Sequence, residues 1–507
     1  MSSEREVVVS GAPLDIAAVE EVARGHARVV LNEAALANLE RSREALERAI
    51  ASGEVIYGVN TGFGSLARQR LEGAQLREVQ RNLILSHAAG VGEPLPEDVV
   101  RAMLLLLVAS LSRGLSGVRP CIAERVTQLL NEGVTPRVPS VGSVGASGDL
   151  APLAHAALVL LGEGQANVAG RCLSGADALS SLGLEPLLLE AKEGLALING
   201  THLMAAQGAL FFADLERLQR AALAAAAMSI DACRGTDAFL DARVHAARGQ
   251  RGQAEVAERV ARLIAESQII PSHLHDDPRV QDPYSLRCVP QVLGAAFDLF
   301  AFSRGMIERE LGAVSDNPLV FSEAGQRDVV SAGNFHGMPL AIALDTAILG
   351  LAHLAGIAER RVYYILAASD AQNPLNPHLS PVPGLHSGLM IAQYVAAACC
   401  NEIIGLTLPS SASNLPTSAG MEDYNSFGAT SGMKARRALD RAIDVIAIEL
   451  LCAAEALEYQ RPLRSGAGVE RAHATVRSVV SRRTADRPPA PDIAAIRGLI
   501  LAGSFDA

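Results

Sequence analysis

Apolar and polar positions divide the chain into two halves of different texture. Up to residue 201, short apolar runs at helical spacing alternate with loops rich in glycine and serine. Residues 14–51 predict two helices, and 73–90 and 97–113 predict one each. YGVNTGFGS (57–65) and VPSVGSVGASGDLAP (138–152) read as loops. The second leads into a helix at 153–164 closed by glycine, and 165–190 predicts a small β-hairpin or irregular stretch. Beyond residue 201 come five long alanine-rich apolar stretches: 202–233, 289–314, 339–368, 386–408 and 429–459. At roughly 20–30 residues each, they exceed the usual helix mean of about 11–12. Helices apolar on most faces are buried ones. One chain rarely buries five on every side, so the pattern predicts a bundle that packs against copies of itself. A linker at 369–385 with Pro374, Pro377, Pro381 and Pro383 reads as a loop near the surface or over a site. The expected class is all-α, with a mixed, loop-rich N-terminal region (1–201) and a long-helix C-terminal region (202–507) forming one integrated unit.

Composition narrows the possibilities. Tryptophan is absent and aromatics make up 4%, so the core of this 507-residue chain must be aliphatic. A net charge of −11 argues against a nucleic-acid partner, which requires a basic surface. The seven cysteines are odd in number and lack CxxC spacing, which favours buried free thiols in a reducing cytosol over disulfides or a zinc site. The N-terminus, MSSEREVVVSGAPLD, carries no apolar signal run, and apolar stretches such as 102–111 are too short for a bilayer. A cytoplasmic protein without membrane association is expected.

Four loops concentrate polar groups beside apolar helices. In the first, glycines at 58, 62 and 64 permit close backbone approach to a ligand, but Ala67 breaks a dinucleotide fingerprint. Tyr57 there is either a general base or a loop tyrosine packed by its ring. The second, Val144-Gly-Ala-Ser-Gly-Asp149, departs from a nucleophile elbow because Asp149 stands where glycine is needed and no strand is predicted before it. Its plain reading is a turn capped by Ser147 or Asp149. In the third, Gln281-Asp-Pro-Tyr-Ser-Leu-Arg287, a helix after Pro283 sets Tyr284 and Arg287 on one face, and Arg287 needs an anion or an internal partner. The fourth holds Glu422 and Asp423, as base and cap or as a solvated helix start. His273-Leu-His275-Asp276-Asp277 is weak as a metal site without a third ligand of defined geometry, and no metal is expected.

Taken together, these segments resemble the histidine, phenylalanine and tyrosine ammonia-lyase and aminomutase family. GSVGASGDLAPLAH (142–155) is the most specific signature. YGVNTGFG, QRNLILSHAAGVGEPL (80–95), NGT (199–201), QDPYSLR, SDNPL (315–319), GNFH (333–336) and MED follow in order, so the likeness runs from about residue 8 to 460. The resemblance implies that Ala146, Ser147 and Gly148 cyclise to 4-methylidene-imidazol-5-one (MIO), an electrophile that captures the substrate amine, with no external cofactor. It implies Tyr57 as catalytic base and Arg287 as partner of the substrate carboxylate. Asn199, Gln281, Tyr284 and Phe335 would line the site, with Asn199 and Tyr284 orienting the ring and the substrate. The family fold is all-α and the usual assembly a homotetramer.

Within that family, Ser86-His87 and Glu422 match the pattern that goes with L-histidine, giving trans-urocanate and ammonia; His87 would hydrogen-bond one ring nitrogen, and Glu422 would bind the N–H of another or take part in proton transfer as a catalytic residue. Met421 stands where glutamine is usual, Tyr424 where histidine is common, and His378 takes an aromatic position in the altered 376–388 linker. Other aromatic amino acids, a 2,3-aminomutase outcome and an inactive relative remain alternatives.

Overall fold

The computed structural model describes residues 5–62, 75–275, 279–322, 329–370 and 373–505. It is helical with a few short strands, as the apolar pattern predicts. The chain forms two compact units: residues 1–213, 304–345 and 409–433 make the first, and 214–303, 346–408 and 434–507 the second.

The first unit opens with β1 (Glu6–Val9), α1 (Ile16–Ala23) and β2 (Arg28–Leu31), the strands pairing in parallel. Asp15 and Asn32 cap α1 and α2 (Glu33–Ala51) by accepting backbone N–H groups three residues on. Then follow α3 (Gln75–His87), β3 (Val91–Pro94), the almost wholly buried α4 (Glu97–Leu111) and α5 (Pro120–Asn131), begun by a proline at its first turn. β4 (Val134–Pro136), β5 (Pro139–Val141) and α6 (Leu150–Leu160) bracket the 142–149 loop. The hairpin expected in 165–190 is β6 (Gln165–Val168) and β7 (Arg171–Ser174), with β4 on its other edge and α7 (Gly175–Ser181) after it. α8 (Glu193–Ile198) leads into Asn199.

The long helices are α9 (His202–Ala232), α13 (Val289–Glu310), α14 (Met338–Ala367), α15 (Met390–Leu406) and α16 (Gly428–Leu457), each within a few residues of its predicted span. All but α15 contribute residues to both units. Short α10 (Ala242–Arg248), α11 (Arg251–Ile264) and α12 (Tyr284–Arg287) precede α13; β8 (Leu319–Val320) and β9 (Val329–Val330) follow it; α17 (Ala467–Arg477) and α18 (Pro489–Leu501) end the chain.

In the second unit a buried ion pair sits among otherwise apolar helices. Arg361 on α14 meets Glu449 on α16 through two hydrogen bonds, 2.5 and 2.9 Å, and Ser229 on α9 donates to the same carboxylate at 2.8 Å. α15 is different: Ile391, Tyr394, Ile404 and, just beyond its end, Leu408 are exposed, Ile404 at 61% and Leu408 at 77%.

Several expectations need correction. A strand, β5, does precede the 142–149 loop. Cys172 is exposed, not buried, although all seven cysteines are free thiols. Among the described residues, two helical stretches, Met338–Ala367 and Met390–Ala412, are long and apolar enough to span a bilayer by length and composition, the first mostly buried and the second mostly exposed.

Candidate active site

The 142–149 loop turns back on itself at residues 145–147 and then runs beside the Asn199–Gly200 segment, with Gly148 bridging Gly200. Gly148 has φ +75°, and a Cβ there would stand 2.2 Å from the Gly200 carbonyl oxygen. Gly145 has φ +68°, and a Cβ there would meet Ser426 Oγ at 2.1 Å. Side chains are excluded at both positions, so the small residues around Ala146 and Ser147 are a packing requirement. The loop is pinned from the 426–428 segment: Ser426 Oγ donates to the Gly145 carbonyl at 2.9 Å and Phe427 N to that of Val144 at 2.8 Å.

Asp149 anchors the loop's far end. Its Oδ2 accepts the backbone N–H groups of Leu203 and Met204, at 2.9 and 3.1 Å, in the first turn of α9. Its Oδ1 accepts the Ser143 hydroxyl at 2.8 Å. Burial raises its pKa to about 7, against the pull of these hydrogen bonds toward the ionised form. The sequence predicts Asp149 or Ser147 as a cap of its own turn; the structure has Asp149 capping a helix more than fifty residues on. His202, which no sequence motif marks, is buried beside Gly200, and burial lowers its pKa to about 4.

Ser86, His87, Ser143, Ser147 and Gly148 line a common cavity of about 250 Å³. The His87 ring closes onto its own helix, its Nδ1 2.9 Å from the Leu83 carbonyl. That carbonyl needs a donor, so Nδ1 carries the proton and Nε2 is left as an acceptor. The Ser147 hydroxyl donates to Glu422 Oε1 at 2.8 Å, and Thr417 Oγ1 donates to Glu422 Oε2 at 3.1 Å. Six of the predicted residues are thereby gathered: Ser86, His87, Ala146, Ser147, Gly148 and Glu422.

Asn199 Nδ2 donates to the Asn317 carbonyl at 3.1 Å, while its Oδ1 is buried without a partner among the described residues. Beside Asn317, Asp316 forms a buried ion pair with Lys192 at 2.6 Å. Half-buried Phe335 lies two residues before Gly337, whose N–H reaches the Gly145 carbonyl at 3.3 Å. Tyr57 is half-buried in a turn held by Asn60, Thr61 and Gln80, the last donating to the Gly58 carbonyl at 3.3 Å. Phe63 and Gly64 of the same motif lie outside the described residues, as do Asp276 and Asp277 of the weak metal motif. Among the described residues no cluster suits a metal.

Gln281, Tyr284 and Arg287 form a separate group in the second unit. Arg287 Nε donates to the Asp282 carbonyl at 2.9 Å and Nη2 to Gln281 Oε1 at 2.7 Å. Its guanidinium stacks on the Tyr284 ring, 4.7 Å from the centroid, as expected from i, i+3 placement on a helical turn. Tyr284 is 71% exposed.

A loop too tight for side chains, a serine against a carboxylate, and a histidine lining the same cavity as that serine make up the candidate site. The chain belongs to the aromatic amino acid lyase family, whose profile matches residues 14–478. It is 46% identical over 508 residues to the histidine ammonia-lyase of Anaeromyxobacter dehalogenans (strain 2CP-C), covering 99% of both chains. Among solved structures it resembles histidine ammonia-lyase from Trypanosoma cruzi (TM-score 0.91, 36% identity, 98% of this chain and 94% of that one). It also resembles tyrosine aminomutase from Streptomyces globisporus (TM-score 0.91, 35% identity, 99% of this chain and 97% of that one).

Proposed function

We propose that this chain is a carbon–nitrogen lyase that deaminates L-histidine non-oxidatively to trans-urocanate and ammonia, using an MIO formed from Ala146, Ser147 and Gly148. The observation that carries this reading is the cavity shared by Ser86, His87 and Ser147, with Glu422 hydrogen-bonded to Ser147. The names of the relatives point to the same substrate.

The surroundings of the tripeptide suit the ring. Gly145 and Gly148 leave no room for side chains, so the backbone alone occupies the turn that must close on itself. When formed, the MIO supplies an electrophilic carbon that binds the substrate amine and makes ammonia a better leaving group.

The remaining tasks fall to ordinary side chains. His87 Nε2 accepts the imidazole N–H of the substrate, and the Glu422 carboxylate takes a polarised hydrogen of the same ring. Ser86 and Phe335 shape the pocket around it. Tyr57 removes the β-proton; the C–H pair becomes the Cα=Cβ bond and the Cα–N pair leaves with nitrogen. Arg287 has committed Nε and one Nη2 hydrogen, which leaves Nη1 to meet the substrate carboxylate. Gln281 and Tyr284 hold that guanidinium by hydrogen bond and stacking, and Tyr284 also meets substrate. The enzyme works in the cytoplasm as a homotetramer, the assembly covering the exposed apolar side chains of α15.

Near-UV absorbance after addition of L-histidine, with ammonia assayed in parallel, tests the reading. A new acrylate band matched by ammonia is expected. Histidine consumed without ammonia would replace it with the aminomutase reading; no reaction at all would overturn the substrate.

A further inference from the structure

Ser147 and Glu422 are 275 residues apart, yet hydroxyl and carboxylate stand at 2.8 Å. The carboxylate is held in place. Thr417 Oγ1 binds its other oxygen, and the backbones of Thr417 and Glu422 pair with each other at 2.7 and 3.3 Å. Making the ring proposed above removes the Ser147 hydroxyl, and Glu422 is the acid whose side chain stands against it. Asp149, the acid nearest in sequence, spends both oxygens on Ser143, Leu203 and Met204.

We infer that Glu422 is the general acid that expels the Ser147 hydroxyl when the MIO is made, a duty separate from binding substrate. The inference rests on the proposed function. Ring closure joins Gly148 N to the Ala146 carbonyl carbon; the carbonyl π pair moves to oxygen, which takes up the Gly148 N–H proton. That new hydroxyl leaves as water with the Ser147 N–H proton, and a C=N bond results. The second water comes from the Ser147 side chain. Its Cα–H proton passes to solvent, the C–H pair becomes Cα=Cβ, and the Cβ–O pair departs with oxygen.

Hydroxide leaves poorly; water leaves well. For this step the hydrogen bond runs the other way: Glu422, protonated on Oε1, gives its proton to Oγ and is left as a carboxylate, the form that accepts a polarised hydrogen of the substrate ring. Two waters are lost and nothing is oxidised or reduced. General acid catalysis contributes about 10²–10⁴-fold. Glu422→Gln, which keeps size and hydrogen bonding but has no proton to transfer at this strength, should therefore slow the second dehydration at least about 100-fold.

Intact-mass spectrometry reads this directly, without activity. The wild-type chain should be lighter than its encoded mass by two waters. Glu422→Gln should retain the mass of at least one, while Asp423→Asn, an exposed neighbour, should mature as wild type does. Circular dichroism on the same samples identifies the folded fraction. Glu422→Asp, which keeps a transferable proton, should mature further than Glu422→Gln. Full maturation of folded Glu422→Gln, or the reverse order of Asp and Gln, overturns the inference. A wild-type chain at its full encoded mass would instead overturn the MIO reading itself.

Discussion

Arg287 hangs from the backbone of Asp282: its Nε donates to that carbonyl at 2.9 Å, while the Asp282 carboxylate accepts both the N–H and the hydroxyl of Thr236, each at 2.8 Å. The guanidinium is thereby tied to the turn that follows α9. Hydrogen bonds to charged groups are worth about 1.5–3 kcal/mol. Arg287→Ala should therefore lower kcat/KM for L-histidine by about 10–150-fold, and Arg287→Lys should restore little of it because lysine lacks the fork. Asp282→Ala should raise KM about tenfold with a smaller change in kcat, and Asp282→Asn, which keeps an acceptor for Thr236, should recover most of the loss. Steady-state kinetics decides; an unchanged KM in Arg287→Ala would remove the carboxylate assignment.

His87→Phe removes the Nε2 acceptor and leaves the helix intact. Losing one hydrogen bond to a buried substrate N–H, about 1–3 kcal/mol, should cost about 5–150-fold in kcat/KM. The denaturant midpoint should stay within error of wild type. If turnover is unaffected, the imidazole is bound elsewhere.

The pair Arg361–Glu449 is fully buried, so breaking it is costly while replacing it whole is not. Glu449→Ala should destabilise the protein by about 3–5 kcal/mol. Arg361→Met combined with Glu449→Leu should recover most of this. Equilibrium unfolding in urea measures both; equal losses in the single and double variants would mean that the charges themselves support the fold.

His202 and Asp149 oppose each other in their pH dependence. His202 has a folded pKa of about 4, below its ordinary 6.5, so stability is lost as pH falls from 6.5 toward 4. Asp149 has a folded pKa of about 7, above its ordinary 3.8, so its contribution is complete below 3.8 and is lost as pH rises to 7. His202→Gln should therefore gain on wild type as pH is lowered from 6.5 to 4, by up to about 3 kcal/mol. Unfolding free energies at several pH values check this, and parallel curves for the two proteins would refute it.

The long helices were legible because an alanine- and leucine-rich run of that length has no other soluble form. The 142–155 motif and the Ser86-His87 pair were legible as resemblance. Other elements escaped for physical reasons. β1 and β2 are four residues each and are defined by pairing with each other, which no local pattern displays. α5 begins at Pro120, and α11, though amphipathic, is rich in charge and lies outside the apolar runs. At the site, Asp149 acts on residues 203 and 204, and Asp282 holds Arg287 by its carbonyl. Neither role depends on anything that spacing can reveal, since backbone atoms are the same in every residue.

The exposed side chains of α15 bear on how the protein must be handled. A chain bearing Ile391, Tyr394, Ile404 and Leu408 toward water is a sticky particle, and dilution works against the homotetramer proposed above to cover those groups. Its melting temperature should climb with protein concentration, by mass action, where that of a self-sufficient monomer would stay level. Shelf life in dilute stocks would then be limited by colloidal loss before any chemical damage to the active site.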